Sequence, residues 1–465
     1  MPTLLSLPQV RLDFHPQRPV DLRFDAPHSS SDGGVLLLRQ LDERLGLCAR
    51  IAALVPDRRD PALVIHPRLE QVRQRLFQIA LGYEDQDDAD TLRTDPLWRT
   101  ACDRAPDDAR GLSSQPTLSR FEHAVRARDA VLLQRRLEAD YVASLPASTD
   151  VVVLDLDSTS DETHGDQPGS SFHGHHACSM YFSLLVFDGE GRLVSVRLRP
   201  GNAGNNRYAT PLLVRLVRAI KARFPQAQVA VRADSGFCTP RLLDALEALD
   251  AELGEVHYVI GLEKNARLLL ALRPALTEVA TRARVGVPAR LFEAFGYRAR
   301  SWSRERYVVA KAEHLGDKSN PRFVVTTLDY VPPAMLYENG YGGRGDAENR
   351  IKDFKNPLGG DRLSCTTYVA NAFRLLLHAF AYRLLDALRS EVAVVAPALE
   401  SLQFDTLRLR LLKVAAHVRE QVRRIVVALP SPFPLAEVFA RVATRLTSRR
   451  DEVIPTTHAA VPQAA

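Results

Sequence analysis

No stretch of this chain approaches the ~20 consecutive apolar residues that a membrane-spanning helix needs, which argues against a membrane protein. Its five cysteines, Cys48, Cys102, Cys178, Cys238 and Cys365, lie far apart, with no C-x-x-C pair. That spacing excludes a compact zinc site and gives no disulfide framework, so reduced, mostly buried thiols are expected. No internal repeat is present. The opening Met1-Pro-Thr-Leu-Leu-Ser-Leu-Pro8 lacks the basic start and long apolar run of a signal peptide. A cytoplasmic protein is the expectation.

What the chain does have is ordinary globular material: 465 residues, 46% hydrophobic and 25% charged. That length can bury a large core and suggests two or three units. A net charge of +5 leans toward a polyanionic partner, and acidic stretches such as Glu84 to Asp90 keep the balance modest. Arginine heavily outnumbers lysine, which suits bidentate phosphate contacts.

Residues 1–148 read as mainly helical. Ser31 or Asp32 is the expected N-cap of a helix from Val35 to about Leu45. A second helix covers Leu69 to Leu81, with Arg68, Arg73 and Arg75 among its apolar positions. A third runs from Gln115 toward Leu145, and Thr117-Leu-Ser-Arg120-Phe121 has the look of a recognition-helix start. Those basic faces are either a DNA-docking surface or solvated.

From residue 150 the pattern changes. Val151 to Asp157 is a β-branched run ending in acids. Tyr181 to Phe187 and Leu193 to Leu198 form a hairpin across Asp188-Gly-Glu-Gly191. Then come a helix (Asn206 to Phe224), a strand ending in acid (Gln228 to Asp234), a helix (Pro240 to Leu253) and a strand (Val256 to Gly261). Three strands followed by helix–strand–helix–strand is the element order of the RNase H-like fold, an α/β class with a mixed central sheet. A helix from Ala266 to Ala280 leads into three antiparallel strands around 290–295, 304–310 and 322–328. Beyond them lie an apolar helix, Ala370 to Leu388, an amphipathic basic helix, Leu407 to Val427, and a loose tail, Ile454 to Ala465.

The stretch Tyr341-Gly-Gly-Arg344-Gly-Asp-Ala-Glu348-Asn-Arg-Ile-Lys-Asp-Phe-Lys355 carries the functional signal. It reads as a helix from Asp346, entered through flexible Gly342, Gly343 and Gly345. Arg344, Glu348, Lys352 and Lys355 share one polar face. Alone, it is equally an amphipathic helix in which Arg344 and Lys355 pair with Glu348 and Asp353. Upstream, Asp157-Ser-Thr159 and Ala233-Asp234-Ser-Gly-Phe237 place one acid at the end of each of two strands. Carboxylates gathered in a cleft repel one another, and divalent cations relieve this. Asp155 and Asp157 share a strand face, so either could serve. Asp161, Glu162 and Asp166 are read as solvated loop acids. His164, His173, His175 and His176 lack partners at zinc spacing.

Tyr341, Arg344, Glu348 and Lys355 match the Tyr-x2-Arg-x3-Glu-x6-Lys signature, and the chain thereby resembles the IS4-like branch of DDE transposases. Asp157-x-Thr-x-Asp-x-Thr-His164-Gly and Pro200-Gly-Asn-Ala-Gly-Asn-Asn206 look most like its IS1380 family of insertion-sequence transposases. The resemblance implies a catalytic and metal-binding triad of Asp157, Asp234 and Glu348, with two Mg²⁺ ions for which Mn²⁺ can substitute. Tyr341, Arg344 and Lys355 would grip DNA phosphates. It implies metal-dependent excision and strand transfer at terminal inverted repeats, with double-stranded DNA and target DNA as partners of a homodimer. The expected division is a DNA-binding region (1–148), a catalytic core (149–263 and 331–395), a β-rich insertion (264–330) and a C-terminal helical region (396–465). Trp302, in the insertion, either stacks on an extruded base, as implied by related transposases, or packs locally. A nuclease that cuts without joining, and a DNA binder without catalysis, are the competing readings.

Overall fold

A single β-branched run seeds the architecture. In the computed structural model, which describes residues 10–448 apart from 15, 175, 285–288 and 316–317, Val151–Glu162 forms strand β1. Its period of two sends Val152, Leu154 and Leu156 into one core. Asp155, Asp157 and Asp161 therefore share the opposite face. Expected to end at Asp157, the strand runs on to Glu162, because the long β2 (Cys178–Asp188) pairs with it as far as Asp161 opposite Tyr181 and Glu162 opposite Met180. Asp161 and Glu162 are thus strand residues and not loop residues.

β3 (Leu193–Arg197) folds back on β2, while β4 (Gln228–Ala233) and β5 (Val256–Leu262) lie parallel to β1 on its other side. The central order is β3-β2-β1-β4-β5, a mixed sheet as expected from the element order. The strands around 290–328 do form an antiparallel set, β6 (Arg290–Tyr297), β7 (Arg306–Leu315) and β8 (Arg322–Thr326). They extend the same sheet, since β8 pairs with β5.

The described helices used below are α1 (Val35–Leu45), α2 (Arg68–Leu81), α3 (Gln115–His123), α4 (Ala127–Ser144), α5 (Ala209–Arg223), α6 (Pro240–Leu253), α7 (Ala266–Arg284), α8 (Gly345–Lys355), α9 (Tyr368–Val395) and α10 (Ala436–Ser448). Among the described residues, no helix is long and apolar enough to cross a membrane. One face of the sheet buries Leu184, Val186, Val229 and Val231 against α5 and α6. The other buries Leu185, Phe187 and Val196 against α9, and the same apolar cluster extends through α1, α2, α3 and α10.

That packing overturns three local expectations. Arg68, Arg73 and Arg75 are buried, so the arginines of α2 are not a DNA-facing surface. Arg75 lies 2.8 Å from Glu122 of α3, which also takes Arg374 of α9 at 2.7 Å, so one carboxylate joins three helices. Leu118 and Phe121 likewise point inward, Phe121 edge-on to Phe373. The expected single helix after Gln115 is two, because the Asp129 carboxylate accepts from Arg126 N at 3.1 Å and starts α4 afresh. Asp32 does not cap α1, whose N-cap is Gly34; instead it is buried and accepts from Tyr83, Trp98 and Lys413.

The expected basic helix from Leu407 to Val427 does not form. After Phe404–Leu407 and a wide turn at Arg408–Leu412, the chain makes a hairpin of Ala416–Gln421 and Arg424–Ala428. Ala416 and Val418 are buried in alternation, Ile425-Val-Val427 suits a strand, and Ser29–Ser30 supplies a pairing edge. Helix α10 follows, which the sequence reading missed; Ile454 to Ala465 lie outside the described residues.

Candidate active site

Asp157 and Asp234 are brought together by strand register. β1 and β4 are parallel neighbours with Leu156 opposite Ala233, so the acid following each emerges beside the other. Arg344 bridges them. Its Nη2 donates to Asp157 Oδ2 at 2.9 Å and stands 3.8 Å from Asp234 Oδ2. The remaining oxygens are held by the local backbone: Ser158 N donates to Asp157 Oδ1 and Gly236 N to Asp234 Oδ1, each at 2.8 Å.

Burial, reinforced by the charges of Asp234 and Glu348, pushes the Asp157 carboxyl up to about 6 even though Arg344 pulls it down. Glu348 itself is exposed on α8. Asp157 therefore feels the charge of both other acids. Among the described residues, no three acid, histidine or cysteine side chains converge closely enough to hold an ion.

The choice between Asp155 and Asp157 is one that strand periodicity leaves open and packing separates. Both Asp155 oxygens accept from Arg232, at 2.6 and 2.7 Å, and Arg232 also donates to Gly340 O at 3.0 Å. Asp155 thus anchors the turn that precedes α8. The glycines there are not a loose entry: Leu336–Tyr341 is a wide helical turn and Gly342–Arg344 a tight one, leading directly into α8. A Cβ at Gly343 would stand 2.5 Å from Arg232 Nη1, so the strut needs a glycine.

The other residues of the Tyr341-to-Lys355 stretch surround the same strand ends. The Tyr341 ring packs on Tyr337, and its hydroxyl closes over Gly261, where a Cβ would lie 2.8 Å from it and from Ser235 N. Lys355 Nζ donates to Ser160 O at 2.6 Å and is 3.3 Å from Asp361. Neither cation pairs as the amphipathic-helix alternative has it. Arg344 reaches Asp157, and Asp353 is buried near Arg350 and Arg389. Arg344 Nε is buried with no acceptor.

Asp161 is a site neighbour that sequence reasoning placed in solvent. It is fully buried, and neither carboxyl oxygen makes a hydrogen bond of normal geometry. Burial raises its carboxyl to about 7, with Ser183 and Lys355 opposing and Asp361 adding. A raised folded-state value means the native protein holds this proton more tightly than the unfolded chain. Stability is therefore expected to fall as pH rises from about 4 through 7. Asp161→Asn should remove that slope and raise stability at pH 8 by roughly 2–4 kcal/mol, read from melting curves in EDTA.

Of the histidines, His164 is exposed, and His173 and His176 stack 5.0 Å apart beside Phe182. His175 lies outside the described residues. Trp302 is buried between Tyr297 and Arg306, packed within the sheet extension.

Residues 13–451 match the family model described as transposase DDE domain, group 1. No curated protein is similar to the sequence. Among solved structures, the fold is similar to a piggyBac transposase seen by cryo-EM in a synaptic complex with hairpin DNA. That chain is 12% identical, with 76% of this chain and 74% of that one covered and a TM-score of 0.41, a likeness too loose to map residues.

Proposed function

The chain belongs to the group 1 family of transposase DDE domains, and from that premise we propose that it excises and joins an insertion sequence at its terminal inverted repeats. Asp157, Asp234 and Glu348 are the triad. The observation that carries this reading is the convergence of Asp157 and Asp234 on one guanidinium, with Glu348 adding its charge. The sheet order supports an RNase H-like core made of residues 149–263 and 331–395, with 264–330 as its insertion. The motifs at Asp157 to Gly165 and Pro200 to Asn206 favour the IS1380 branch.

The donor set fits a hard divalent cation such as Mg²⁺: carboxylate oxygens only, with the Asp157 carboxyl raised by burial first and by the charges of Asp234 and Glu348 after it. Asp157 and Asp234, the two acids that already converge, would hold it, with Glu348 drawn in from α8 as the third ligand, and when bound it supplies charge neutralisation and a more nucleophilic oxygen for phosphodiester displacement. Arg344 partly neutralises the aspartates and, with its free Nε, is poised to turn toward a DNA phosphate. Tyr341 and Lys355 flank the same strand ends and supply further donors to the DNA backbone. Asp155 and Arg232 keep α8 in place.

Both ends of the element must be handled together, so the acting species is a homodimer on two DNA ends. The test is cleavage and strand transfer on a labelled terminal-repeat duplex carrying a free 3′-hydroxyl, with Mg²⁺ and with EDTA. Metal-dependent joining that disappears in Glu348→Gln is expected. Cutting without joining would make the protein a nuclease, and DNA binding with no metal-dependent chemistry would make it a binder.

A further inference from the structure

The loop after β3 contains no triad residue, yet it touches the neighbours of both aspartates. At its start Arg199 is fully buried, and its three nitrogens are all engaged. Nε donates to Phe182 O at 2.7 Å, and Nη2 to Ser158 Oγ at 2.8 Å. Nη1 donates to Asn205 O at 2.5 Å and to Gly204 O and Arg207 O at 3.3 Å each. Every acceptor is neutral. A guanidinium buried without an ion pair is costly, and only a full set of hydrogen bonds makes it tolerable.

The two ends of this network reach the two acids. Ser158 directly follows Asp157, whose carboxylate accepts the Ser158 N–H. On the other side, Asn205 presses on the Asp234 turn. A Cβ at Gly236 would lie 1.8 Å from Asn205 Nδ2 and 3.1 Å from Asp234 Oδ1. The loop itself is seated on β2, since a Cβ at Gly201 would lie 2.0 Å from Met180 O. One side chain therefore ties β2, the Asp157–Ser158 step of β1 and the loop that abuts the Asp234 turn.

We infer that Arg199 is a positioning residue of the carboxylate site, fixing the separation of Asp157 on β1 from the Asp234 turn through Ser158 and the Asn205 loop, and so setting how tightly the site holds a divalent cation. The inference rests on Asp157 and Asp234 being the catalytic pair. Lysine cannot replace the planar fork, because one ammonium cannot reach three separated acceptors. Outer residues that orient ligands typically change metal affinity ~10–100-fold when altered.

The experiment measures Mn²⁺ binding to the DNA-free protein by electron paramagnetic resonance, beside the Mg²⁺ dependence of strand transfer and DNA binding in EDTA. The variants are Arg199→Lys, Gly236→Ala and Asp157→Asn, with Arg218→Ala, an exposed residue paired with Glu252, as control. Arg199→Lys and Gly236→Ala are expected to weaken Mn²⁺ binding ~10–100-fold and to raise the half-saturating Mg²⁺ in parallel. DNA binding in EDTA should stay at the wild-type level. If Arg199→Lys does not fold, Ser158→Ala is measured in its place with the same weakening expected, since it removes only the Oγ that accepts from Arg199 Nη2 and leaves the Ser158 N–H on Asp157. Wild-type Mn²⁺ affinity in the folded variants, with binding lost in Asp157→Asn, overturns the positioning role alone. Wild-type affinity in Asp157→Asn overturns the triad reading and this inference with it.

Discussion

Strand transfer by Asp157→Asn and by Asp234→Asn is expected to fall by a factor on the order of 10³ or more. A metal held by carboxylates contributes several kcal/mol of transition-state stabilisation, and each 1.36 kcal/mol is about tenfold in rate. Asparagine keeps the shape of each side chain but removes its charge, so DNA binding in EDTA should persist at wild-type strength or better. Asp155→Asn is the discriminating comparison. Its carboxylate is occupied by Arg232, which also holds Gly340, so the change should lower the melting temperature before it alters metal dependence. Loss of chemistry at Asp155 with survival at Asp157, measured on the same duplex, would move the first ligand two residues along β1.

Glu122→Ala should destabilise the fold by about 3–5 kcal/mol, the range for breaking a buried ion pair from one side. Glu122 is fully buried between Arg75 and Arg374, and its removal leaves two guanidinium groups facing each other in the core. The carboxyl is held down to about 2; burial opposes this shift, and Arg374 and Arg75 outweigh burial. A depressed folded value means that its stabilisation is present above the unfolded value of ~4.3 and is lost as pH falls toward 2. Urea titrations at pH 7 and pH 3 measure both effects. The variant's deficit against wild type should be largest at pH 7, and an equal deficit at both would show that the Glu122 charge contributes nothing.

Several features of this protein were legible in residue order because they depend on neighbours in sequence. The strands and helices between 151 and 262 follow from period-two and period-3.6 patterning, and the acids at 157, 234 and 348 stood out by local motif. The fates of the charged side chains were not legible, because burial is decided by what packs against a residue from far along the chain. Arg75 looks like a solvated helix arginine until Glu122 and Arg374 close on it. Asp161 looks like a loop acid until β2 extends alongside it.

The same division separates Asp155 from Asp157. Alternation alone puts them on one face of β1, and only the tertiary structure gives one to Arg232 and the other to Arg344. It also turned a basic amphipathic pattern after Leu407 into a hairpin, because Ser29 and Ser30 offered an edge to pair with. Residue order by itself determined which elements make up the central sheet and that Asp155 and Asp157 share one face of β1, since these rest on backbone preference and side-chain period. Which cation meets which acid was decided by tertiary packing alone, because ion pairs form between partners far apart in the chain, Arg344 and Asp157 being 187 residues apart and Lys413 and Asp32 381.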